Sequence, residues 1–258
     1  RALEPDARGF FKQMVAGVRH LHETLNMAHL DLKPDNWVLS HPMPDTGKQR
    51  TRILPPVQLK LIDFGLSRTG RFPMPTGQAD HPVDALIEPI GTKEYTAPEV
   101  WGAPLVPHPY RTNLEGAQVR GADALPFNGY LADVWSLGIC LFTMTCGQLP
   151  FERSVGTWRR PPPYAHCPCW AYVLAHIGPT AMAASPPDSP SSYSVADLIL
   201  TCYRRRNYMS PSLKDLLTRC LMPEPARRIC VAQVASSTWC DSAPSAPSAP
   251  SAPSAPSA

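Results

Sequence analysis

The strongest helical periodicity lies near the start of the chain. Phe10, Phe11, Met14, Val15, Val18, Leu21 and Leu25 recur at three- and four-residue spacing, with Lys12, Arg19 and Glu23 elsewhere. The pattern predicts a helix from about Asp6 to Leu25 with one apolar face. His20 and His22 ride on this helix as surface or packing residues without assigned chemistry. Two short stretches of strand character follow, "WVLS" at 37–40 and "VQLKLID" at 57–63. They read as partners in a β-hairpin, although the 41–56 connection is far longer than the about two to five residues of an ordinary hairpin loop. Its prolines and charges predict a mobile surface insertion. "YLADVWSLGICLFTMTC", residues 130–146, is apolar almost all round and predicts a buried central helix. Further helices are expected at about 168–177, 211–221 and 230–237. Stretches near 69–90, 102–128 and 179–208 lack a clear period and read as further insertions. From Asp241 the chain repeats Ser-Ala-Pro with no large apolar residue, so 241–258 is expected to be a disordered tail. The fold class is mainly α with one short hairpin.

Composition narrows this picture. A length of 258 residues with 43% hydrophobic positions suits one compact domain, over 1–240, plus the tail. A net charge of +3 implies neither nucleic acid nor a membrane surface as partner. Arg204, Arg205 and Arg206 read as a solvated loop. The apolar run 134–146 reads as too short to span a bilayer, and Asp133 borders it. Eight cysteines include no C-x-x-C pair, and the chain opens without a secretory signal. Cys140 and Cys146 lie in the apolar helix, where a free thiol acts as a small hydrophobe. Cys167 and Cys169 flank Pro168 with no matching pair at zinc spacing. The expectation is free thiols in an intracellular, cytoplasmic protein.

The candidate chemistry begins at "HLDLKPDNWVLS", residues 29–40. It places Asp31, Lys33 and Asn36 at spacings of two and three, so a single turn can present an acid, an ammonium and an amide toward one point. A solvated polar turn uses the same residue types. "VQLKLIDFGLSR" then ends its alternation in Asp63-Phe64-Gly65. "GTKEYTAPE" follows at 91–99, "DVWSLG" at 133–138 and "PEPARRI" at 223–229. In this order the five motifs resemble those of the eukaryotic-type protein serine/threonine kinase catalytic domain, over roughly residues 5–240.

The resemblance implies roles. Asp31 would orient the substrate hydroxyl, Lys33 would contact the transferred phosphate of ATP, and Asn36 and Asp63 would hold Mg2+. Thr92 would hydrogen-bond Asp31 and Lys33 and, with the lysine two residues after the acid, mark the Ser/Thr class, whose substrates are protein serines and threonines. Asp133 would bond the backbone of the catalytic loop, and Glu99 would pair with Arg228. Leu30 departs from the pattern: many kinases place there an arginine that meets a phosphorylated activation-segment residue. Its absence implies the loss of one regulatory device rather than of chemistry. The sequence contains no G-x-G-x-x-G, and neither a strand lysine nor its helix glutamate is found. The expected fold is therefore the large helical lobe of a kinase with the small β lobe absent from this chain, its exposed face covered by that lobe or a partner. The alternative is a kinase-like fragment or pseudokinase serving as a non-catalytic binding module.

Overall fold

The computed structural model describes residues 4–40, 58–70, 90–101, 127–151, 167–177, 194–204 and 209–242. The expected insertion at 41–56, most of those at 69–90 and 102–128, Arg205 and Arg206, and the tail from 243 onward lie outside the described residues. Helix α1, Glu4–Glu23, carries Glu4 and Asp6 in its first turn and buries Ala7, Phe11, Met14, Val15, Val18, Leu21 and His22 on one stripe. Acids at the N-terminus suit the helix dipole. Leu25 stands two residues past the end of the helix and is exposed, and the chain turns at Asn26, which follows at φ 47°.

The core is organised around α2, Gly129–Cys146, which is buried on every side, Asp133 included. Asn128 starts it by accepting hydrogen bonds from the Tyr130 and Leu131 amides. Gly147 ends it in the left-handed conformation, with its N–H on the Thr143 carbonyl. At 18 residues α2 is long and apolar enough to cross a membrane by length and composition, contrary to the shorter run read from the sequence. Its 89% burial inside the fold makes it the core helix of this domain. At Gly138 an added Cβ would lie 2.9 Å from both Cys220 and Leu221, so the missing side chain is what lets the next layer approach.

That layer comprises α3 (Pro168–Ile177), α4 (Val195–Cys202), α5 (Pro211–Cys220), α6 (Val231–Ala235) and α7 (Thr238–Asp241). Trp135 of α2 stacks on Phe151 at 5.9 Å and meets the Trp170 edge at 6.0 Å. Helix α4 corrects the expected insertion at 179–208: Ser194 caps it, and Val195, Ala196, Leu198, Ile199 and Leu200 are buried. The helix expected at 230–237 is the shorter Val231–Ala235, and a further helix, α7, follows it where the Ser237 hydroxyl accepts the Cys240 amide. Helical structure also continues to Asp241, the expected first residue of the tail. Asp241 closes α7, and the Ser242 carbonyl accepts Arg8 Nη1 at 3.1 Å.

Among the described residues there are also two short antiparallel ladders. The expected hairpin is β2 (Trp37–Leu39) with β3 (Leu59–Leu61), in the register Trp37↔Leu61, Val38↔Lys60, Leu39↔Leu59. The other pairs β1 (Met27–Ala28) with β4 (Arg68–Thr69) and places Thr69 in a strand rather than an insertion. Phe127 and Asn128 are likewise ordered, Phe127 in the core and Asn128 as the α2 cap, at the end of the stretch read as an insertion at 102–128. All eight cysteines are free and all but Cys202 are buried. Burial pushes the Cys140 thiol up and the Cys220 thiol up to about 12, so both stay protonated and inert.

Candidate active site

The catalytic-loop stretch is shaped from below by Asp133. Its Oδ2 accepts the His29 amide and its Oδ1 the Leu30 amide, each at 2.8 Å. Leu30 sits at φ 67°, a conformation unfavourable for a branched side chain, and these two bonds hold it there. Asp133 is fully buried, and His22 Nε2 lies 2.9 Å from its Oδ2. One carboxylate thus braces the loop by two amides and a ring.

His29 carries the constraint onward. Its Nδ1 accepts the Asp31 amide at 3.3 Å, which puts the ring proton on Nε2, donating to the Ile62 carbonyl at 3.2 Å. The ring meets Phe64 edge-on at 5.1 Å. Past Asp31, Lys33 is extended and Pro34 opens a 3-10 turn, Pro34–Asn36, closed by the Trp37 amide on the Pro34 carbonyl. The turn brings three side chains back to one place.

At that place the side chains bond one another closely. Thr92 Oγ1 donates to Asp31 Oδ1 at 2.6 Å and accepts Lys33 Nζ at 2.8 Å. Lys33 Nζ also donates to Asp31 Oδ2 at 2.8 Å. Asn36 Nδ2 donates to the Asp31 carbonyl at 2.7 Å and to Asp31 Oδ2 at 3.2 Å. Asp63 is joined to this cluster through the backbone. The Ile62 amide donates to the Asn36 carbonyl at 3.0 Å, continuing the β2–β3 ladder, and the next residue is Asp63. It lies at φ 63° with an exposed side chain, and its Oδ1 accepts the Gly65 amide only at 3.4 Å.

Thr92 reaches the cluster because of Gly91. At φ +102° an added Cβ would lie 2.5 Å from the Leu30 carbonyl oxygen, so a side chain there would push the segment off the loop. The other end of this segment is pinned by Glu99, in the short helix Pro98–Trp101. Arg228 Nη1 meets Glu99 Oε1 at 2.5 Å and Nη2 meets Oε2 at 3.0 Å. Three carbonyls, of Leu131, Met222 and Pro223, take the remaining Arg228 donors. The guanidinium lies 5.1 Å over the Trp135 ring.

All eight residues singled out in the sequence fall within the described structure. Asp31, Lys33, Thr92 and Asn36 bond directly, Asp63 joins through Ile62, Asp133 braces from below, and Glu99 with Arg228 forms a separate clasp. Sequence reasoning assigned no role to His22, His29, Gly91 or Tyr130. His22 could have been found: it lies four residues after Val18 and seven after Val15, on the buried stripe of α1.

Burial alone would raise the Asp31 carboxyl. The hydrogen bonds from Lys33 and Thr92, the Lys33 charge and the Asn36 bond outweigh it, so Asp31 lies below the ordinary carboxylate value. A depressed carboxyl contributes stability that is fully present above its unfolded pKa, about 3.9. That contribution is lost as pH falls through the lower folded value. The stability difference between the natural chain and Asp31→Asn is therefore expected to be constant from pH 7 to about 5 and to shrink below about 4. Thermal melts of both across this range check it; a difference that does not change with pH would mean the carboxylate is not held as described.

The donor set suits magnesium with phosphate. With its Nδ2 directed to Asp31, Asn36 keeps Oδ1 as an acceptor, and the exposed Asp63 carboxylate supplies hard oxygens near the same backbone junction. Mg2+ takes few protein oxygens and completes its shell with water and phosphate. Among the described residues no group of three or more His, Cys, Asp or Glu could form an all-protein cage.

With this geometry in view, the comparison with known proteins is direct. The sequence model described as "Protein kinase domain" matches residues 2–240, and the chain belongs to that family. It is 26% identical over 236 residues to the carbon catabolite-derepressing protein kinase of Candida tropicalis, covering 92% of this chain and 25% of that protein. It is 27% identical over 240 residues to CBL-interacting serine/threonine-protein kinase 8 of Arabidopsis thaliana, covering 93% of this chain and 36% of that protein. Maternal embryonic leucine zipper kinase of Xenopus laevis is 30% identical over 152 residues, or 59% of this chain and 17% of that kinase. The chain thus spans about a quarter to a third of the first two relatives.

Proposed function

We propose that this chain carries the phosphotransfer centre of a serine/threonine protein kinase that uses Mg-ATP to modify protein serines and threonines. The observation that carries the reading is the closed set of bonds among Asp31, Lys33 and Thr92, with Asn36 and Asp63 beside it. Asp31 orients the acceptor hydroxyl and takes its proton at a carboxylate oxygen. Lys33 neutralises charge on the phosphoryl oxygens as they pass. Thr92 fixes the distance between acid and lysine. Asn36 Oδ1 and the Asp63 carboxylate would hold the metal. ATP supplies the phosphoryl group, and magnesium offsets its charge. The eight free thiols support an intracellular setting.

The described elements are assigned to the large, helical lobe. Phosphate-gripping residues of the G-x-G-x-x-G type are not found in this sequence, and Val38, Ile62, Phe64 and Leu66 are exposed beside the site. A small β lobe or a partner covering that face accounts for both observations. The same two observations favour, as the second reading, a kinase-like module that binds without catalysing.

Two measurements test the proposal, and the second separates the readings. The 258-residue chain alone is expected to bind Mg-ATP more weakly than micromolar, because small-molecule sites bury about 70–90% of their ligand and Val38, Ile62, Phe64 and Leu66 stand exposed beside this one. Isothermal titration checks this, and a micromolar dissociation constant would mean that residues of this chain enclose the nucleotide by themselves. A protein joining this chain to a kinase small lobe is expected to transfer labelled phosphate from ATP to serine and threonine peptides. Transfer to tyrosine alone, or none despite nucleotide binding, would overturn the kinase reading.

A further inference from the structure

One side chain connects the start of the activation segment, which by the kinase resemblance runs from Asp63 to Glu99, to the brace beneath the catalytic loop, and no motif above includes it. Tyr130 stands in the first turn of α2, three residues before Asp133. Its ring stacks on His22, with centroids 4.3 Å apart and planes inclined by 24°. His22 Nε2 is the group that meets Asp133 Oδ2, while His22 Nδ1 is buried with no partner. The Tyr130 hydroxyl points elsewhere and donates to the Gly70 carbonyl at 2.9 Å. Gly70 directly follows β4, and its own amide donates to the Asn26 carbonyl at 2.9 Å.

We propose that Tyr130 is a positioning residue of the phosphotransfer site, its hydroxyl tethering Gly70 at the start of the activation segment while its ring holds His22 on the carboxylate that shapes the catalytic loop. The energetics of the two ends differ. The β1–β4 ladder has two residues per strand, too few to be stable unaided, so one further bond at Gly70 decides whether it stays paired. At the other end Asp133 is fully buried, and a packed ring keeps water from the orphan His22 Nδ1. Burial first, and then the Asp133 charge, pushes the Tyr130 phenol up, so it remains a donor at neutral pH. Leu30 brings no charge to the activation segment, whereas its amide rests on the same Asp133. The tether therefore needs no phosphate.

The mechanistic part of this inference rests on the kinase reading, but its first test does not. Tyr130→Phe keeps the stack and removes only the hydroxyl; Tyr130→Leu removes the stack as well. Amide hydrogen exchange on the full chain is expected to speed up at Gly70 by roughly three- to tenfold in Tyr130→Phe, as loss of one hydrogen bond implies. The His29 and Leu30 amides keep their protection in that variant and lose it in Tyr130→Leu. Natural exchange at Gly70 in Tyr130→Phe would overturn the tether. Equal acceleration at all probes would overturn it too, by showing only general loosening. In the protein joined to a small lobe, Tyr130→Phe is expected to lower kcat severalfold with KM for ATP unchanged. If exchange changes as stated but no phosphotransfer occurs in the natural sequence, the kinase reading has failed and the tether stands; if transfer occurs and kcat is unmoved, the positioning role has failed.

Discussion

Replacing Asp31 by asparagine is expected to cut phosphotransfer at least about a hundredfold, the usual scale for a positioned acid–base group, while leaving the domain folded. Asparagine matches the carboxylate in shape and can still accept the Thr92 hydroxyl on one atom. It cannot accept on both. The Oδ2 position now takes two donors, Lys33 Nζ at 2.8 Å and Asn36 Nδ2 at 3.2 Å. An amide nitrogen there would face both, and a flipped amide would face the Thr92 proton instead. Neither orientation leaves a basic oxygen for the substrate hydroxyl. The measurement is peptide phosphorylation by the protein joined to a small lobe, natural against Asp31→Asn, with circular dichroism confirming matched folds. Turnover at the natural rate would remove Asp31 from the chemistry and with it the present assignment of the site.

The sequence was most legible where several polar residues share one short turn. Asp31, Lys33 and Asn36 must share one turn, so their order survives as a readable string, and Pro34 marks the turn itself. The hairpin was legible because Leu59, Lys60 and Leu61 alternate against Trp37, Val38 and Leu39. Helix α4 was not, because its eight residues follow a proline- and serine-rich stretch and Val195, Ala196, Leu198, Ile199 and Leu200 form a nearly continuous apolar run without a period. Strands β1 and β4 have two residues each, and two residues carry no alternation to detect. The need for Gly91 was hidden for a different reason. Its φ of +102° and its approach to the Leu30 carbonyl are set by a chain segment some sixty positions earlier, which no local pattern reports. Asp133 shows the opposite case: a single acid inside an apolar helix must find donors, so its need for partners was foreseeable.

Arg228→Ala is expected to destabilise the domain by about 3–5 kcal/mol, the range for breaking a buried ion pair. That is a large fraction of the about 5–15 kcal/mol that holds a typical domain folded. The Arg228 side chain is fully buried, whereas Glu99 keeps 13% exposure, so the two halves of the pair fail differently. Without Arg228, Glu99 can turn toward water, but the Leu131, Met222 and Pro223 carbonyls lose their donors and Trp135 loses its cover. Without Glu99, the guanidinium stays buried with only carbonyl dipoles to offset its charge. Arg228→Lys does not rescue the clasp, because an ammonium cannot reproduce the two-pronged contact with Glu99 or lie flat over the indole. Urea unfolding of Arg228→Ala, Glu99→Ala, Arg228→Lys and the double alanine variant provides the measurement. The double variant should be less destabilised than the sum of the singles, since each single change leaves a charge that the double change removes. Strict additivity would mean that the contact contributes no coupling, and an unchanged midpoint in Arg228→Ala would mean that the activation segment is held by something other than this clasp.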